Sequence, residues 1–579
     1  MSWKQEYYDR VRPVVGEALF SRRLAVWDLG HGYLAAEALA RTGLRQQVWF
    51  DDSPVGGAFS RSLGLQFASF GSRHEALARV CREHNEWETD WDLRGERPDA
   101  AALRRLLEGR GFDLLLAAGD DRSADVARAA VATQTPLVMT FALARGTTVQ
   151  VVWVPEAAVD PEQIVTACER LAALPRLDLD GLEAHVEGLE ARSMALALAR
   201  WILSRGERPE TARDPREDLR IQTARDPRED LRIPIIDQGR ALVLRGQPAW
   251  PWSTRFLSPG QDLAAVLQGL GSGANAIYRP PLALLRNQRL LVLGLGTASL
   301  LCAEAALVAS HIVVVDGKDV SVHNPVRQIY GTRDVGRPKA RALAEILRQR
   351  LDPTATWSAS QQGEVHYLQS GRWTLGSARL HLTAADPDSE DRFAALLDQV
   401  QPTLVVVGMG RTHDDNFLAT DALRRRGIRH ITPSAFPGVT HYKHILTDGS
   451  RGPCYDCLQG HLLLDTGPGP TLTGAQRELF YGGTQPATLA ETYPSAHSLL
   501  HLTRDLALPP GARPAYLAAE LSAERGCFVG ANRAERDANG QWLYGADRPF
   551  DMVTYGVDDL VPGTGAERAC SCGRVNRRA

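Results

Sequence analysis

The sequence predicts an α/β protein with two Rossmann-like, doubly wound parallel sheets in tandem, and an internal repeat carries this prediction. An apolar strand, a Gly-x-Gly turn, a helix and a second strand ending in Asp occur in this order twice. The first glycine and the aspartate are 22 residues apart in both copies, Gly30 and Asp52 in one and Gly294 and Asp316 in the other. Each copy also contains a later apolar strand that ends in acidic residues: Gly111–Asp121 and Thr403–Asn416.

Each element follows from its residue pattern. Short apolar runs bounded by glycine or acidic residues indicate buried strands, and the longer segments between them indicate helices. The first copy is expected to contain strands at Arg23–Leu29, Gln47–Asp52 and Pro136–Phe141 and a helix at Tyr33–Thr42. The second is expected to contain strands at Arg289–Gly294, His311–Asp316, His430–Ser434 and His441–Leu446, a helix at Leu300–Ala309 and a closing helix at Gln485–Leu500.

The length and charge of the chain limit the number of domains and the classes of partner. The chain has 579 residues, with 66 Lys and Arg against 69 Asp and Glu, so its formal net charge is −3. At roughly 150 residues per domain the length predicts about four units. The near-neutral balance gives no electrostatic reason to expect a nucleic acid partner. The sequence also lacks an apolar run of about 18 residues and a signal sequence, which predicts a cytoplasmic protein without a membrane partner.

A charged segment separates the two copies. Residues 211–221 recur intact as residues 223–233, and each copy carries three arginines and three acids whose charges cancel. We interpret the segment as a duplicated surface linker. The predicted domains are a first doubly wound fold at 1–204, the linker at 205–235, a second doubly wound fold at 236–460, a region with the closing helix and a cysteine at 461–569 and a terminal segment at 570–579.

The second copy adds groups that can bind a nucleotide. A Gly-x-Gly turn that opens a helix presents backbone N–H groups to a phosphate, although this motif alone is a weak signal. Here Asp316 ends the next strand, and an acid in this position can bind ribose hydroxyls. Asn324-Pro-Val-Arg327-Gln328 and the Lys339 that begins a long amphipathic helix supply amide, guanidinium and ammonium groups for phosphates.

These residues resemble a known family. The Gly-x-Gly-x-x-Ser turn, the strand-end Asp, Asn-x-x-Arg-Gln and Pro-Lys occur in the order found in the adenylating domain of ubiquitin-activating enzymes and of ThiF- and MoeB-type adenylyltransferases, over about residues 277–460. The resemblance implies that ATP and magnesium are bound. The implied roles are backbone contacts at Gly294 and Gly296, ribose contact for Asp316, phosphate contacts for Asn324, Arg327 and Lys339, loop support for Gln328, and magnesium binding for Asp415.

The pattern departs from the family in two places. Ser299 stands where the turn has its third glycine, and the arginine usual after the Asp-Asn pair is absent around Thr420. The second departure leaves the magnesium ligand open between Asp414 and Asp415.

The first copy lacks the matching groups and is expected to be catalytically degenerate. It has Ser60–Gly64 at the offset of the Asn-x-x-Arg-Gln segment, and His74 near the position of the lysine. Its start, Tyr8-Asp9-Arg10, resembles the inactive adenylation domain of eukaryotic ubiquitin-activating enzymes. In that family the arginine crosses to the phosphates of the active half, so the resemblance implies a charge-stabilising role for Arg10. A solvated arginine on an N-terminal helix is the alternative.

Two cysteine pairs follow the nucleotide fold, Cys454 with Cys457 and Cys570 with Cys572. Four thiolates can bind a tetrahedral zinc, and the resemblance supports a structural zinc site at the first pair. The second pair has one intervening residue where the family usually has two. A redox motif is the alternative.

If the chain follows the pattern of the ubiquitin-activating enzymes that it resembles, the thioester-forming cysteine lies between these pairs, and Cys527 is the only cysteine there. The competing interpretation is a small buried hydrophobic residue. Cys81, Cys168 and Cys302 are expected to be packing residues. The closing helix lacks the reactive cysteine that several ThiF-type members carry, so the enzyme could also stop at the adenylate.

The resemblance implies an ATP-dependent activating enzyme for a ubiquitin-like protein, with a conjugating enzyme as second partner. The two-half architecture is similar to activating enzymes of bacterial ubiquitin-like (Bil-type) conjugation systems linked to phage defence. The alternatives are an adenylyltransferase without an enzyme thioester, a dinucleotide-binding oxidoreductase, and a non-catalytic scaffold. The sequence leaves formation of a homodimer open.

Overall fold

The computed structural model describes residues 18–51, 53–55, 59, 71–84, 90–143, 147–155, 161–176, 189–203, 242–245, 254–256, 282–351, 355–409, 413–435, 441–451, 453–455, 457–458, 487–523, 526–531 and 552–555. Arg10, the duplicated linker, Cys570 and Cys572 lie outside the described residues. The roles predicted for them, and the predicted domain boundaries, remain predictions.

The first half is built on an eight-stranded sheet. Its strands are β1 (Arg23–Val26), β2 (Gln46–Phe50), β3 (Asp90–Arg94), β4 (Leu114–Ala118), β5 (Leu137–Leu143), β6 (Thr147–Trp153), β7 (Leu242–Arg245) and β8 (Thr254–Phe256). The spatial order is β3-β2-β1-β4-β5-β6-β7-β8, with parallel pairing from β3 to β5 and antiparallel pairing beyond. Its helices are α1 (Leu29–Arg41), α2 (Arg73–His84), α3 (Ala100–Arg110), α4 (Ser123–Ala132), α5 (Pro161–Ala172) and α6 (Leu189–Leu203).

The second half contains a ten-stranded sheet. Its strands are β9 (Arg289–Leu293), β10 (His311–Val315), β11 (Ser358–Gln362), β12 (Val365–Ser370), β13 (Trp373–Ala378), β14 (Leu404–Val407), β15 (Arg429–Ala435), β16 (His441–Thr447), β17 (Cys527–Ala531) and β18 (Met552–Tyr555). Its helices are α7 (Ala298–Val308), α8 (Lys339–Leu351), α9 (Ser389–Val400), α10 (His413–Arg425), α11 (Leu489–Ala507) and α12 (Ala515–Ser522). The order is β11-β12-β13-β10-β9-β14-β15-β16-β17-β18.

The two sheets share one plan. In each, five parallel strands follow the order third, second, first, fourth, fifth, with an antiparallel sixth strand beside the fifth. The strand order reverses between β1 and β4 in the first half and between β9 and β14 in the second. Ligands of doubly wound sheets bind in the crevice at such a switch point. The predicted fold class and the predicted repeat are confirmed.

Several strands have no counterpart in the sequence prediction. Strand β3 alternates charged with apolar residues and is only half-buried, and β11 consists of four polar residues and an alanine, all exposed. Neither carries the continuous apolar run that marks a buried parallel strand, so pattern analysis does not find them.

Helices α1 and α6 of the first half pack together, and α6 also packs against α11 of the second half. One apolar core cluster includes buried residues of both halves, among them Tyr33, Leu196, Leu301 and Leu499. Arg200 of α6 also lies 3.8 Å from Glu491 of α11. Within the described part of the chain, no helix is both long and apolar enough to span a membrane.

Candidate nucleotide site

The Gly-x-Gly turn lies at the switch point of the second sheet, where β9 ends. Gly294 has a φ of +76°, and a Cβ there would lie 2.2 Å from the carbonyl oxygen of Gly408. A side chain is therefore excluded both by conformation and by close approach of the backbone that follows β14. A Cβ at Gly296 would meet nothing within 4 Å, so this side of the turn is open. Ser299, which replaces the third glycine, donates its hydroxyl to the Gly296 carbonyl at 2.7 Å.

Asp316 is fixed against this turn. Its Oδ2 accepts the backbone N–H of Leu295 at 2.8 Å, and its Oδ1 accepts that of Lys318 at 2.8 Å. Only 9% of the residue is exposed. Each carboxylate oxygen has a second lone pair, so the group can still accept a ribose hydroxyl at the mouth of the crevice.

The loop after β10 brings Asn324, Arg327 and Gln328 together. The N–H groups of Arg327 and Gln328 both donate to the carbonyl of Asn324, at 3.0 and 2.8 Å. The side-chain oxygen of Asn324 accepts from the backbone and hydroxyl of Ser321, at 2.9 and 3.1 Å. Its amide NH₂ is thereby directed away from the Ser321 contact and can donate to an anion.

Tyr330 connects the parts of the site, and its role has no signal in the sequence. Its side chain is completely buried. The hydroxyl lies 3.4 Å from the carbonyl oxygen of Leu295 in the turn and 3.5 Å from that of Lys339 at the start of α8. The loop, the turn and the lysine helix are therefore held in one arrangement.

Lys339 is a buried cation, only 8% exposed. Burial lowers its pKa to about 8, an effect that Lys318 and Arg327 increase and Asp316 opposes. Among the residues that the structure describes, its ammonium group has no hydrogen-bond or ion-pair partner. Since an unpaired buried charge is costly, the position is suited to an anionic ligand.

The magnesium assignment stays open. Asp415 is 8% exposed, and its Oδ1 accepts the backbone N–H of Ala384 at 2.9 Å. The side chain of Asp414 lies outside the described residues. Thr420 donates its hydroxyl to the Asn416 carbonyl at 2.8 Å within its own helix, so it does not replace the missing arginine.

The first half repeats the acid contacts at a shifted position. Both carboxylate oxygens of Asp51 accept backbone N–H bonds, from Leu29 at 3.0 Å and Ser53 at 2.8 Å, as those of Asp316 do. The acid that corresponds to Asp316 is therefore Asp51, and the assignment of Asp52 from equal spacing is wrong. The two turns are equally long, but the segment from Leu29 to Asp51 is one residue longer than that from Leu295 to Asp316, and this displaces the count.

The cation of the first half is also displaced by one residue. Arg73 begins α2 as Lys339 begins α8, so the lysine corresponds to Arg73 rather than to His74. Its Nη1 lies 3.9 Å from carboxylate oxygens of both Asp28 and Asp51. Arg73 therefore lies within ion-pair distance of two acids, whereas no acid of the described residues lies that close to the ammonium group of Lys339.

A second arginine closes the switch point of the first sheet. Arg97 forms ion pairs with Asp28 at 2.8 Å and with Asp120 at 2.9 Å. These acids follow β1 and β4, the strands between which a ligand of a doubly wound sheet binds. Arg97 therefore offsets part of the negative charge at this point.

Cys454 and Cys457 place their sulfur atoms 3.7 Å apart. Two thiolates at about 2.3 Å from a tetrahedral zinc would be about 3.8 Å apart, so the spacing fits the predicted ligand pair. Within the described residues, no group of three or more His, Cys, Asp or Glu side chains could hold a metal ion. The zinc site therefore depends on Cys570 and Cys572 and remains a prediction.

Cys527 lies at the start of β17, between β16 and β18, and is fully buried. Burial raises the pKa of its thiol to about 12, and Lys443 offsets this only in part. A thiolate is therefore scarce at neutral pH. This environment is that of a packing residue. Cys81, Cys168 and Cys302 are also buried in helices, and burial raises the pKa of each.

The fold and the site define a doubly wound α/β domain with a phosphate-type turn, an acid and a buried lysine at its switch point. Residues 274–462 match the ThiF family, so the chain contains a ThiF family domain. No curated protein matches the sequence.

Solved structures with similarity to the chain include Escherichia coli MccB with ATP, at 13% identity over 51% of this chain and 70% of that chain with a TM-score of 0.29. The microcin C7 biosynthetic enzyme MccB in complex with N-formylated MccA has 15% identity over 52% and 72%, with a TM-score of 0.32. PaaA has 15% identity over 28% and 57%, with a TM-score of 0.24. At these scores the similarities carry no inference about this chain.

Proposed function

We propose that the second half catalyses ATP-dependent adenylation of a carboxylate at the end of a polypeptide. The observation that carries the proposal is the buried ammonium of Lys339, which is linked through Tyr330 to the open glycine turn. The ThiF family match over residues 274–462 supports the same chemistry.

The reaction follows from the charges. A carboxylate oxygen attacks the α-phosphorus of ATP, a new O–P bond forms, and the bond to the bridging oxygen breaks, so that pyrophosphate leaves with the electron pair. Lys339 and Arg327 stabilise the negative charge that develops on the leaving group, and Asp316 orients the ribose. Magnesium, when bound, offsets phosphate charge, and Asp415 or Asp414 would hold it.

The favoured acyl substrate is the C-terminus of a ubiquitin-like protein, a choice that rests on the resemblance of the site motifs. Thioester transfer through Cys527, and then to a conjugating enzyme, is the longer form of the proposal. The full burial of Cys527 and its raised pKa favour the shorter form, in which the acyl-adenylate passes directly to a sulfur or amine acceptor.

Calorimetric titration of the full chain with ATP and magnesium tests the proposal. Removing a charged partner of a phosphate costs about 1.5–3 kcal/mol, so Lys339→Met should weaken binding roughly 10- to 100-fold. Arg73→Met, at the corresponding position of the first half, is the matched control and should leave the affinity within about threefold. Binding of NADH without binding of ATP would instead support an oxidoreductase, and a wild-type chain that binds neither would support a scaffold.

A further inference from the structure

We propose that Arg41, on helix α1 of the first half, positions the phosphate-binding loop of the second half. This inference rests on the proposed nucleotide site. Arg41 is the last residue of α1 and only 2% of it is exposed. Its Nη1 donates to three carbonyl oxygens of the loop, those of Pro325 at 3.0 Å, Gln328 at 3.3 Å and Tyr330 at 2.8 Å.

The guanidinium is itself held in place. Its Nε donates to Oε1 of Glu37, one turn earlier on the same helix, at 2.5 Å. An arginine whose fork is fixed by a carboxylate presents its remaining donors in a set direction. The guanidinium of Arg41 is therefore held in one orientation and is not a mobile surface charge.

Helix α11 binds the carbonyls that Arg41 does not reach. The N–H of Leu489 donates to the Val326 carbonyl at 2.8 Å, and the hydroxyl of Thr492 donates to the Arg327 carbonyl at 3.1 Å. Every carbonyl from residue 325 to residue 328 is thus bound by α1 or α11. With its peptide planes fixed, the loop keeps the side chains of Asn324 and Arg327 in one arrangement.

Arg41 is also connected to the rest of the site through Tyr330. Tyr330, whose carbonyl Arg41 binds, directs its hydroxyl to the Gly-x-Gly turn and to the start of α8. The described hydrogen bonds of Arg41 go to Glu37 and to the loop backbone, so we assign it as a positioning residue. Its loss should affect ligands that need the phosphate loop more than ligands that need only the ribose contact of Asp316.

The test compares two probes on the full chain by calorimetry, ATP with magnesium and AMP alone. Arg41→Met keeps the aliphatic stem and removes the guanidinium. We expect the Kd for ATP to rise at least tenfold and the Kd for AMP to change by less than threefold. The lysine of Arg41→Lys can still donate to some of the three loop carbonyls. The Kd of this variant for ATP should therefore lie between those of Arg41→Met and the wild type.

Arg350→Met is the matched control. Arg350 is also buried, and its guanidinium donates to the carbonyl of Ala303 at 3.2 Å and to the carboxylate of Glu304 at 3.4 Å. Both of these partners lie on α7 and not on the loop. Arg350→Met should leave the ratio of the two affinities unchanged, whatever it does to thermal stability.

If Arg41→Met does not fold, as judged by circular dichroism, Arg41→Lys and Thr492→Val carry the test, each with a selective loss for ATP. Equal weakening of ATP and AMP, or unchanged ATP binding in a folded variant, would overturn the positioning role while leaving the proposed function intact. Absence of ATP binding in the wild type would overturn both proposals.

Discussion

Replacing Lys339 with methionine should stabilise the fold at neutral pH while it weakens ATP binding. Burial lowers the pKa of this ammonium from 10.5 to about 8. The difference, 10.5 − 8, is about 2.5, and each unit is worth about 1.4 kcal/mol, so the charged side chain opposes folding by about 3 kcal/mol at pH 7. Methionine has a similar length and carries no charge, so Lys339→Met should recover most of that free energy.

The pH dependence of the free energy of unfolding is a second test of whether the charged Lys339 opposes folding. Between pH 8 and pH 10.5 the unfolded chain keeps the Lys339 proton while the native state releases it, so the unfolded state binds more protons. Wild-type stability therefore gains from this group as pH rises through that interval, and the opposing free energy is fully present below pH 8. The advantage of Lys339→Met should shrink to about 1.4 kcal/mol at pH 9.5.

Urea unfolding at pH 7.0 and pH 9.5, followed by tryptophan fluorescence, measures both effects. Arg73→Met is again the matched control, and it should lose stability because its cation lies near Asp28 and Asp51. A Lys339→Met chain that is less stable than the wild type at pH 7.0, or whose advantage is the same at both pH values, would refute the argument that burial of an unpaired ammonium opposes folding.

Three further predictions follow from the described contacts. Gly294→Ala should cost at least about 2 kcal/mol of stability and abolish ATP binding, because a Cβ would lie 2.2 Å from the Gly408 carbonyl oxygen. Thermal unfolding measures the stability and calorimetry the binding, and near-wild-type values would contradict this reasoning. Cys527 should resist iodoacetamide at pH 8 in the native state and react after unfolding, because burial raises its pKa to about 12. Mass spectrometry measures the alkylation, and rapid alkylation of the native protein would support Cys527 as the nucleophile. Cys454→Ser should remove bound zinc from the purified chain, as measured by elemental analysis against Cys168→Ser, and a wild type without zinc would refute the site.

The sequence predicted the parallel strands that are mostly apolar and buried on both sides, but not β3 and β13, the outermost parallel strands of the two sheets. It also found Gly294, Asp316 and Lys339, whose chemistry is visible in local motifs, and the structure links them through Leu295 and Tyr330. A repeat count placed Asp52 and His74 one residue away from their structural equivalents. An extra residue between the turn and the acid changes the spacing without changing the pattern.

Arg41 and Tyr330 could not be predicted in the same way. Each acts through contacts between segments that are distant in the sequence, and Arg41 binds carbonyls almost three hundred positions away. A buried arginine at the end of a helix has no sequence signature, because its partners are backbone groups. The same holds for β3 and β11, whose polar residues occupy edge positions of the two sheets.

The Arg41 contacts also bear on how the protein behaves on dilution. Two separate subunits that complete each other's sites lose them when the concentration falls below their dissociation constant. Here the donor and the loop belong to one polypeptide, so their effective concentration is set by the tether and not by the amount of protein. Nucleotide affinity and specific activity should therefore be constant from nanomolar to micromolar chain.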